Sequence, residues 1–217
     1  MDRKWKIILT IFVILVVGFG SFLGINHLLN QLDDDNDNEL PCAPPILSFP
    51  FSNINVLDSL SPFTWDNETE IGHNGIDFGI NGTATIVASC NMTCNGKNLF
   101  YNELGGHWQA GCSFDINDDY EIFYAFESFA KNETYGQIQL DAITVETGQS
   151  VTQGDVIGQL FRHEPHAHIH YMLHKKFRPV CPYLYFNAEA KLIFDTLWSN
   201  IGYGSHPCNS TSLLCNY

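Results

Sequence analysis

The stretch His166-Ala167-His168-Ile169-His170-Tyr171-Met172-Leu173 places three histidines at alternate positions, separated by small or apolar residues. If this stretch is a β-strand, side chains two residues apart point to the same face, so the three imidazoles line one side of it. Neutral imidazole is the commonest protein ligand for metal ions and a frequent proton carrier near neutral pH. Taken alone, the pattern also fits a surface strand that is rich in histidine by chance.

A second motif, Gly72-His73-Asn74-Gly75-Ile76-Asp77-Phe78-Gly79, lies far upstream. On a turn that leads into a strand, His73 and Asp77 can bring an imidazole and a carboxylate to one ion. Catalytic zinc takes three nitrogen or oxygen ligands and keeps one position open. His73, Asp77 and one histidine of the later strand would complete that set. Two neutral nitrogens and one carboxylate leave positive charge at the ion, which lowers the pKa of bound water and polarises a carbonyl.

Five segments of the chain resemble, in the right order, the lysostaphin-type zinc endopeptidases. This is a family of bacterial cell-wall hydrolases that cleave peptide cross-bridges and cross-links. The resemblance covers about residues 70–186, and Cys181 stands where the closing segment of the family usually has an aspartate. The segments are the first ligand pair (72–78), the strand after it (81–88), a glycine-turn segment (145–158), the His-x-His-aromatic strand (168–171) and the closing Pro-x-x-Tyr segment (180–185).

The resemblance implies that His73, Asp77 and His170 are zinc ligands and that His168, one strand period earlier, is the catalytic histidine. In an alternative register, His168 is the ligand and His166 the catalyst. Tyr171 directly follows His170 and favours the first register.

One position departs from the family. A second catalytic histidine is usual in a Tyr-x-His segment on the strand before the glycine turns, and the corresponding residues here are Tyr124-Ala125-Phe126-Glu127. Phe126 cannot transfer a proton, and loss of a general acid–base typically lowers a rate by about 10²–10⁴-fold. His166, Glu127 and Glu164 are the possible replacements.

The fold class follows from the order of the predicted elements. From Val56 onward, short β-prone runs alternate with Gly, Asn and Asp turns, and strands in succession without intervening helices indicate an antiparallel sheet. We therefore expect an all-β fold with an N-terminal transmembrane helix and a short C-terminal helix over 188–198, and a hairpin turn at 117–119. The predicted strands are 83–89, 99–103, 108–116, 120–128, 137–142, 156–160 and 166–174.

The first 25 residues predict a membrane anchor. Residues 7–25 carry no charge and are long enough to cross a bilayer as a helix. Basic residues precede them and acidic residues follow, which places the N-terminus in the cytoplasm and the C-terminal domain outside. The alternative is a cleaved signal peptide and a secreted protein. The predicted organisation is a cytoplasmic tip (1–6), an anchor (7–25), an acidic then Pro-rich linker (26–55), a peptidase-like β domain (56–186) and a C-terminal helix with a Cys-containing tail (187–217).

The amino-acid composition limits the kinds of partner and the compartment that fit this chain. The net charge of the 217 residues is −14, and three of the ten basic residues lie in the first six positions. Such an acidic chain repels nucleic acid, whereas cationic substrates and metal ions fit it. All seven cysteines follow the apolar segment, which fits disulfides in an oxidising compartment, although the pairing cannot be read from the sequence. Sequons at Asn67, Asn81, Asn91, Asn132 and Asn209 are compatible with a glycoprotein.

The sequence supports two functional hypotheses, of which we favour the first. The first is a membrane-anchored, extracytoplasmic zinc metalloendopeptidase that hydrolyses peptide bonds, with cell-envelope peptides as substrates. The second is a catalytically degenerate, metal-binding domain that acts as a binding or regulatory module. Phe126 favours the second hypothesis, and the intact set of His73, Asp77, His168 and His170 favours the first. A weaker third hypothesis is a cell-surface adhesion module.

Overall fold

A computed structural model describes residues 42–163 and 166–208 of the chain. Within these ranges the protein is a mostly antiparallel β-structure with two α-helices, which confirms the expected all-β architecture. The strands are β1 (Leu57–Ser61), β2 (Ile76–Ile80), β3 (Ala84–Val87), β4 (Met92–Asn102), β5 (His107–Asn117), β6 (Tyr120–Ala130), β7 (Ser150–Val151), β8 (Val156–Leu160), β9 (His168–Lys175) and β10 (Arg178–Val180), and the helices are α1 (Glu133–Asp141) and α2 (Ala188–Ile201).

The main sheet contains eight strands in the order β1-β2-β9-β6-β5-β4-β7, with β10 paired to β9, while β3 and β8 form a separate two-stranded sheet. The order places the histidine-rich strand β9 between β2 and β6. Antiparallel pairing sets Asp77 opposite His170 and Gly79 opposite His168. On its other side, β9 places His168 opposite Glu127. Residues far apart in the chain therefore meet on one small part of the sheet.

Alternation along these strands separates a core face from a site face. Ile76, Phe78 and Tyr171 are fully buried on the core face. Helix α2 covers that face, and the Phe194 ring meets the Phe78 ring edge-on at 5.9 Å between centroids. Asp77, His168 and His170 project to the opposite face, because they alternate with the buried residues.

The predicted strand 137–142 is wrong, because these residues belong to helix α1 and the position after it. Asn132 caps the helix by accepting a hydrogen bond from the Tyr135 amide at 3.0 Å. The buried positions of α1 are Gly136 and Gln139, three residues apart, so the alternation of apolar residues had no relation to burial. A Cβ at Gly136 would lie 2.7 Å from Cβ of Trp108, so the glycine lets the helix pack closely on β5.

Strand ends differ from the sequence prediction in two places that concern the site. Strand β9 begins at His168, so His166 lies outside the strand and is exposed. Strand β2, which carries Asp77, was expected only as a strand after a turn, and its pairing partner β1 was not predicted. The predicted helix at 188–198 is confirmed as α2, and the predicted hairpin turn joins β5 to β6.

The predicted membrane anchor at 7–25 and the cytoplasmic tip lie outside the described residues. Among the residues that the structure does describe, no helix is long and apolar enough to cross a membrane. Leu47, Phe49 and Phe51, which fall in the predicted linker, are buried in the core.

One disulfide joins Cys181 to Cys208, across 27 residues of sequence. It ties the segment after α2 to the segment after β10. Within the described ranges, Cys42, Cys90, Cys94 and Cys112 are free thiols. Burial raises the pKa of Cys90 to about 11, so this thiol stays protonated near neutral pH.

Candidate metal centre

Three side chains predicted as ligands converge on the site face of the sheet. His73 comes from the loop between β1 and β2, Asp77 from β2 and His170 from β9. Nε2 of His73 lies 3.0 Å from Oδ1 of Asp77 and 3.0 Å from Nδ1 of His170. Nδ1 of His170 lies 2.7 Å from the same Asp77 oxygen. The structure thus presents two imidazole nitrogens and one carboxylate oxygen within 4.8 Å of one another.

The outer nitrogen of each imidazole is tied to an acceptor. Nδ1 of His73 donates to the carbonyl oxygen of Pro62 at 2.6 Å. Nε2 of His170 donates to Oδ1 of Asn74 at 2.9 Å. An N–H held outward fixes the tautomer of a ligating histidine and leaves the lone pair of the other nitrogen for the metal.

The charges and lone pairs of His73, Asp77 and His170 favour a positive charge bound between them. Two inward lone pairs 3.0 Å apart repel unless a proton or a metal cation lies between them. Burial alone would raise the pKa of Asp77, but hydrogen bonds from His170 and His73 hold it well below its usual range. Burial alone would lower the pKa of His73, yet the hydrogen bond and charge of Asp77 raise it. The donor set therefore fits a divalent cation of the zinc type, and protons compete for the same nitrogens.

Short loops and glycines position these ligands. The amide of His73 donates to Oγ1 of Thr64 at 2.9 Å, and its carbonyl accepts from the Thr64 amide at 2.9 Å. A Cβ at Gly75 would lie 2.8 Å from Cε1 of His170, so only glycine leaves room for that ring beside the turn. The His-Asn-Gly sequence before β2 therefore supplies a ligand, an acceptor for the second ligand and the space that the second ligand occupies.

His168 stands beside the three-residue cluster without belonging to it. Its Nδ1 donates to the carbonyl oxygen of His166 at 3.0 Å. Its Nε2 lies 3.6 Å from Oδ1 of Asp77 and 3.6 Å from Oε2 of Glu127. Burial alone would lower the pKa of His168, but its interaction with the Glu127 carboxylate and the charge of Asp77 raise it to about 9. The ring can therefore hold and release a proton at the edge of the cluster.

The structure changes the interpretation of position 126. Phe126 is fully buried on the core face of β6, so its side chain points away from the cluster. The neighbouring residue Glu127 projects to the site face opposite His168. Motif order alone cannot resolve a shift of one residue along a strand, and such a shift reverses the face of every side chain.

The other histidines take different places. His166, the catalyst in the alternative register, is exposed, and its carbonyl rather than its ring contacts His168. His107 is buried, and its Nε2 lies 3.1 Å from Oε2 of Glu127. His163 is exposed and its ring lies against Tyr135, with centroids 5.0 Å apart. Glu164, another possible replacement for the missing histidine, falls outside the described residues.

A cleft of about 540 Å³ opens beside the cluster. Asp77 and His168 are among its lining residues, and Tyr203, 64% exposed as a residue, also borders it. Arg162 also borders the cleft and donates to Oδ1 of Asn81 at 2.8 Å. Asp77 of the cluster and the neighbouring His168 therefore border a space that is open to solvent.

Comparisons with known proteins find likeness of fold at low sequence identity. No protein-family model matches the chain, and no curated protein matches it significantly. Among solved structures, the chain is similar to Csd3 from Helicobacter pylori, with 16% identity over 72% of this chain and 41% of that chain and a TM-score of 0.46.

A zinc-containing peptidase from Vibrio cholerae matches 63% of this chain and 39% of its own at 18% identity, with a TM-score of 0.42. The catalytic domain of lysostaphin from Staphylococcus simulans matches 57% of this chain and 84% of its own at 16% identity, with a TM-score of 0.35. The chain spans about two fifths of the length of the Csd3 and Vibrio proteins.

Proposed function

We propose that the chain is a zinc metalloendopeptidase that hydrolyses peptide bonds in cell-envelope peptides. The observation that carries this proposal is the pair of inward nitrogens, Nε2 of His73 and Nδ1 of His170, 3.0 Å apart beside the Asp77 carboxylate. Three nitrogen and oxygen ligands with an open side are what catalytic zinc uses, whereas structural zinc sites are closed by four ligands.

Zinc bound by His73, Asp77 and His170 would polarise a substrate carbonyl and lower the pKa of a water molecule. His168 then has the second task. Its Nδ1–H is occupied by the His166 carbonyl, so Nε2, which lies 3.6 Å from Oδ1 of Asp77, is the atom that exchanges protons. It takes a proton as water adds to the scissile carbonyl carbon. The same proton passes to the leaving amine as the C–N bond breaks.

The cleft supports an extended peptide as substrate. Asp77, His168 and Tyr203 all line it, so a peptide lying in it would contact both the cluster and an aromatic side chain. Aromatic side chains at the rim of a cleft supply apolar contact to such a chain. The assignment to envelope peptides rests on the resemblance to cell-wall hydrolases alone.

The second candidate function is a metal-binding module without turnover. Strand β6 contains no histidine, and its site face offers Ala125 opposite His170 and Glu127 opposite His168. A domain of this kind would bind zinc and a peptide ligand but release no product. The two candidates share the metal and differ only in hydrolysis.

The proposed location is outside the cytoplasm, with residues 7–25 as a membrane anchor or, alternatively, as a signal that is removed. The Cys181–Cys208 disulfide supports an oxidising compartment, because cytosolic thiols are normally kept reduced.

The test uses the full chain in mild detergent. Zinc content is measured by elemental analysis, and hydrolysis is followed by the new amino groups released from cross-linked cell-wall peptides. The wild type should hold one zinc per chain, D77A should lose it, and H168A should keep the zinc but lose hydrolysis. H163A is the matched control, since His163 is an exposed histidine on the loop before β9. Zinc binding without hydrolysis would establish the second candidate, and a chain without zinc would exclude both.

A further inference from the structure

Beside the candidate metal centre lies a second imidazole–carboxylate pair that the three ligands do not use. Nε2 of His107 donates to Oε2 of Glu127 at 3.1 Å. Only 2% of the His107 side chain and 12% of the Glu127 side chain are exposed. Glu127 in turn lies opposite His168 in the register of β6 and β9, with its Oε2 at 3.6 Å from Nε2 of His168.

The turn before β5 and the Phe129 ring hold His107 in place from two sides. A Cβ at Gly105 would overlap Cε1 of the His107 ring, so the turn before β5 leaves room for the imidazole only because it has glycine there. The Phe129 ring stacks on the other side, with centroids 4.2 Å apart. Phe129 also adopts a φ of +58°, a left-handed conformation that is unfavourable for a residue with a bulky side chain. The same phenyl ring lies 5.5 Å from the His168 ring.

This arrangement is not explained by stability. Taking a carboxylate out of water is expensive, and a buried pair of this kind is often no more stable than apolar residues of similar volume. Among the described residues, Nδ1 of His107 also has no hydrogen-bond partner although it is buried. An unsatisfied buried polar atom and a left-handed phenylalanine together typically mark a site with a function.

We propose that Glu127, held by His107, is a positioning residue that orients the His168 ring toward the cleft. The pair takes the place of the second histidine expected in proteins of the lysostaphin type. The His168 ring then donates Nδ1–H to the His166 carbonyl, and the Glu127 carboxylate lies 3.6 Å from its Nε2, so the ring is placed between two fixed groups. This inference rests on the proposed function, since it assigns the ring of His168 a defined direction for proton transfer.

The Glu127–His107 pair also explains how the site could function although Phe126 replaces the expected histidine. Glu127 occupies the site face directly opposite His168, and Phe126 fills the core with its ring fully buried. In a catalytic triad the aspartate accepts from the imidazole Nδ1–H, a place that the His166 carbonyl takes here, while the Glu127 carboxylate lies on the Nε2 side of the ring. His107 in turn fixes the orientation of the Glu127 carboxylate by donating its Nε2–H to Oε2.

The kinetic test compares E127Q, E127D and H107Q with E121Q in the zinc-loaded full chain, using cross-linked cell-wall peptides. Glu121 is the matched control, because it lies on the same face of β6 but pairs with His174 instead of His168. E127Q and H107Q should lower kcat by about 10²-fold with KM within about twofold and zinc content unchanged, since a misdirected base loses most of its contribution. E127D should recover part of the loss, and E121Q should match the wild type.

Wild-type kcat in E127Q would overturn the inference, as would zinc loss that parallels the loss of activity. A second measurement does not depend on turnover. The ¹⁵N and ring-proton signals of His168, assigned with H168A, should be the same in the wild type and E121Q, because the ring keeps its orientation in both. In E127Q these signals should shift and broaden, because the ring loses the neighbouring carboxylate and samples more than one orientation. Absence of hydrolysis by the wild type would refute the proposed function alone, whereas identical His168 signals in wild type and E127Q would refute the positioning role.

Discussion

Replacement of Asn74 by alanine tests whether the inward nitrogens form a metal site. The Oδ1 atom of Asn74 accepts the Nε2–H of His170 at 2.9 Å, and nothing else in the described structure is seen to hold that nitrogen. In N74A the His170 ring loses the contact that keeps Nδ1 unprotonated and directed at His73 and Asp77. The three ligand residues themselves remain unchanged.

The size of the effect follows from the role of such contacts. Loss of an acceptor behind a metal-bound histidine typically lowers metal affinity by about 10–100-fold, which corresponds to about 1.4–2.7 kcal/mol. Because 12% of the His170 side chain is exposed, water can replace part of the lost hydrogen bond. We therefore expect N74A to fall near the lower end of that range. N74D keeps an acceptor and adds negative charge, so it should retain wild-type affinity or exceed it.

The assay is a competition titration of zinc against a chelator with a visible signal, at constant pH and ionic strength. N95A is the matched control, because Asn95 also uses its amide in a hydrogen bond, to Asp115 at 2.7 Å, but lies elsewhere on the protein. Equal zinc affinity in N74A and wild type would refute the assigned tautomer of His170. Equal affinity in N74A and N74D would show that the acceptor at this position is irrelevant.

Three further predictions concern the neighbourhood of the cluster. In G75A, the new Cβ would lie 2.7 Å from the Tyr171 carbonyl oxygen and 2.8 Å from Cε1 of His170, so zinc affinity should fall by about tenfold or more in the same titration. In the metal-free protein, the raised pKa of His168, about 9, contributes stability that is complete below its unfolded value of 6.5. Chemical denaturation in chelator should show that contribution disappearing as the pH rises through 9, and H168A should abolish the trend. Y203A removes an exposed aromatic ring from the cleft and should raise KM severalfold with kcat and zinc content unchanged in the peptide assay.

The sequence could predict those parts of the site whose residues lie close together in the chain. His73 and Asp77 lie four residues apart around a glycine, and His168 and His170 lie two apart in a strand, so each pair already had a defined local geometry. Antiparallel pairing of β2 with β9 then sets Asp77 opposite His170. The order of the motifs suggested that Asp77 and His170 lie close together, and the register of the sheet brings them together.

The remainder depends on contacts that the sequence does not encode locally. Gln139 lies in the predicted strand, but its side chain is buried and bonds to the Gln159 carbonyl and the Phe161 amide, which a helix can reach at this place. Tertiary contact therefore decided the conformation of 137–142 against its alternating pattern. Glu127 was one of three possible replacements, and only the pairing of β6 with β9 distinguishes it from Phe126. His107 needed the turn at Gly105 to bring it beneath the same carboxylate.

A last consequence concerns the disulfide, which connects the stability of the C-terminal segment to the metal ligands. Cys208 follows Pro207, whose carbonyl accepts the Phe63 amide at 2.9 Å. Phe63 follows Pro62, whose carbonyl holds Nδ1 of His73 at 2.6 Å. The disulfide to Cys181 therefore fixes a chain of contacts that ends at a ligand.

Serine at both positions 181 and 208 should lower the free energy of unfolding by about 3–4 kcal/mol, as expected for a crosslink across 27 residues. It should also weaken zinc binding in the folded protein, because Pro62 is then less firmly placed behind His73. Denaturation and zinc titration on the same sample separate the two effects. A destabilised variant with wild-type zinc affinity would mean that Pro62 is held by its own segment, and that His73 does not depend on the C-terminal tail.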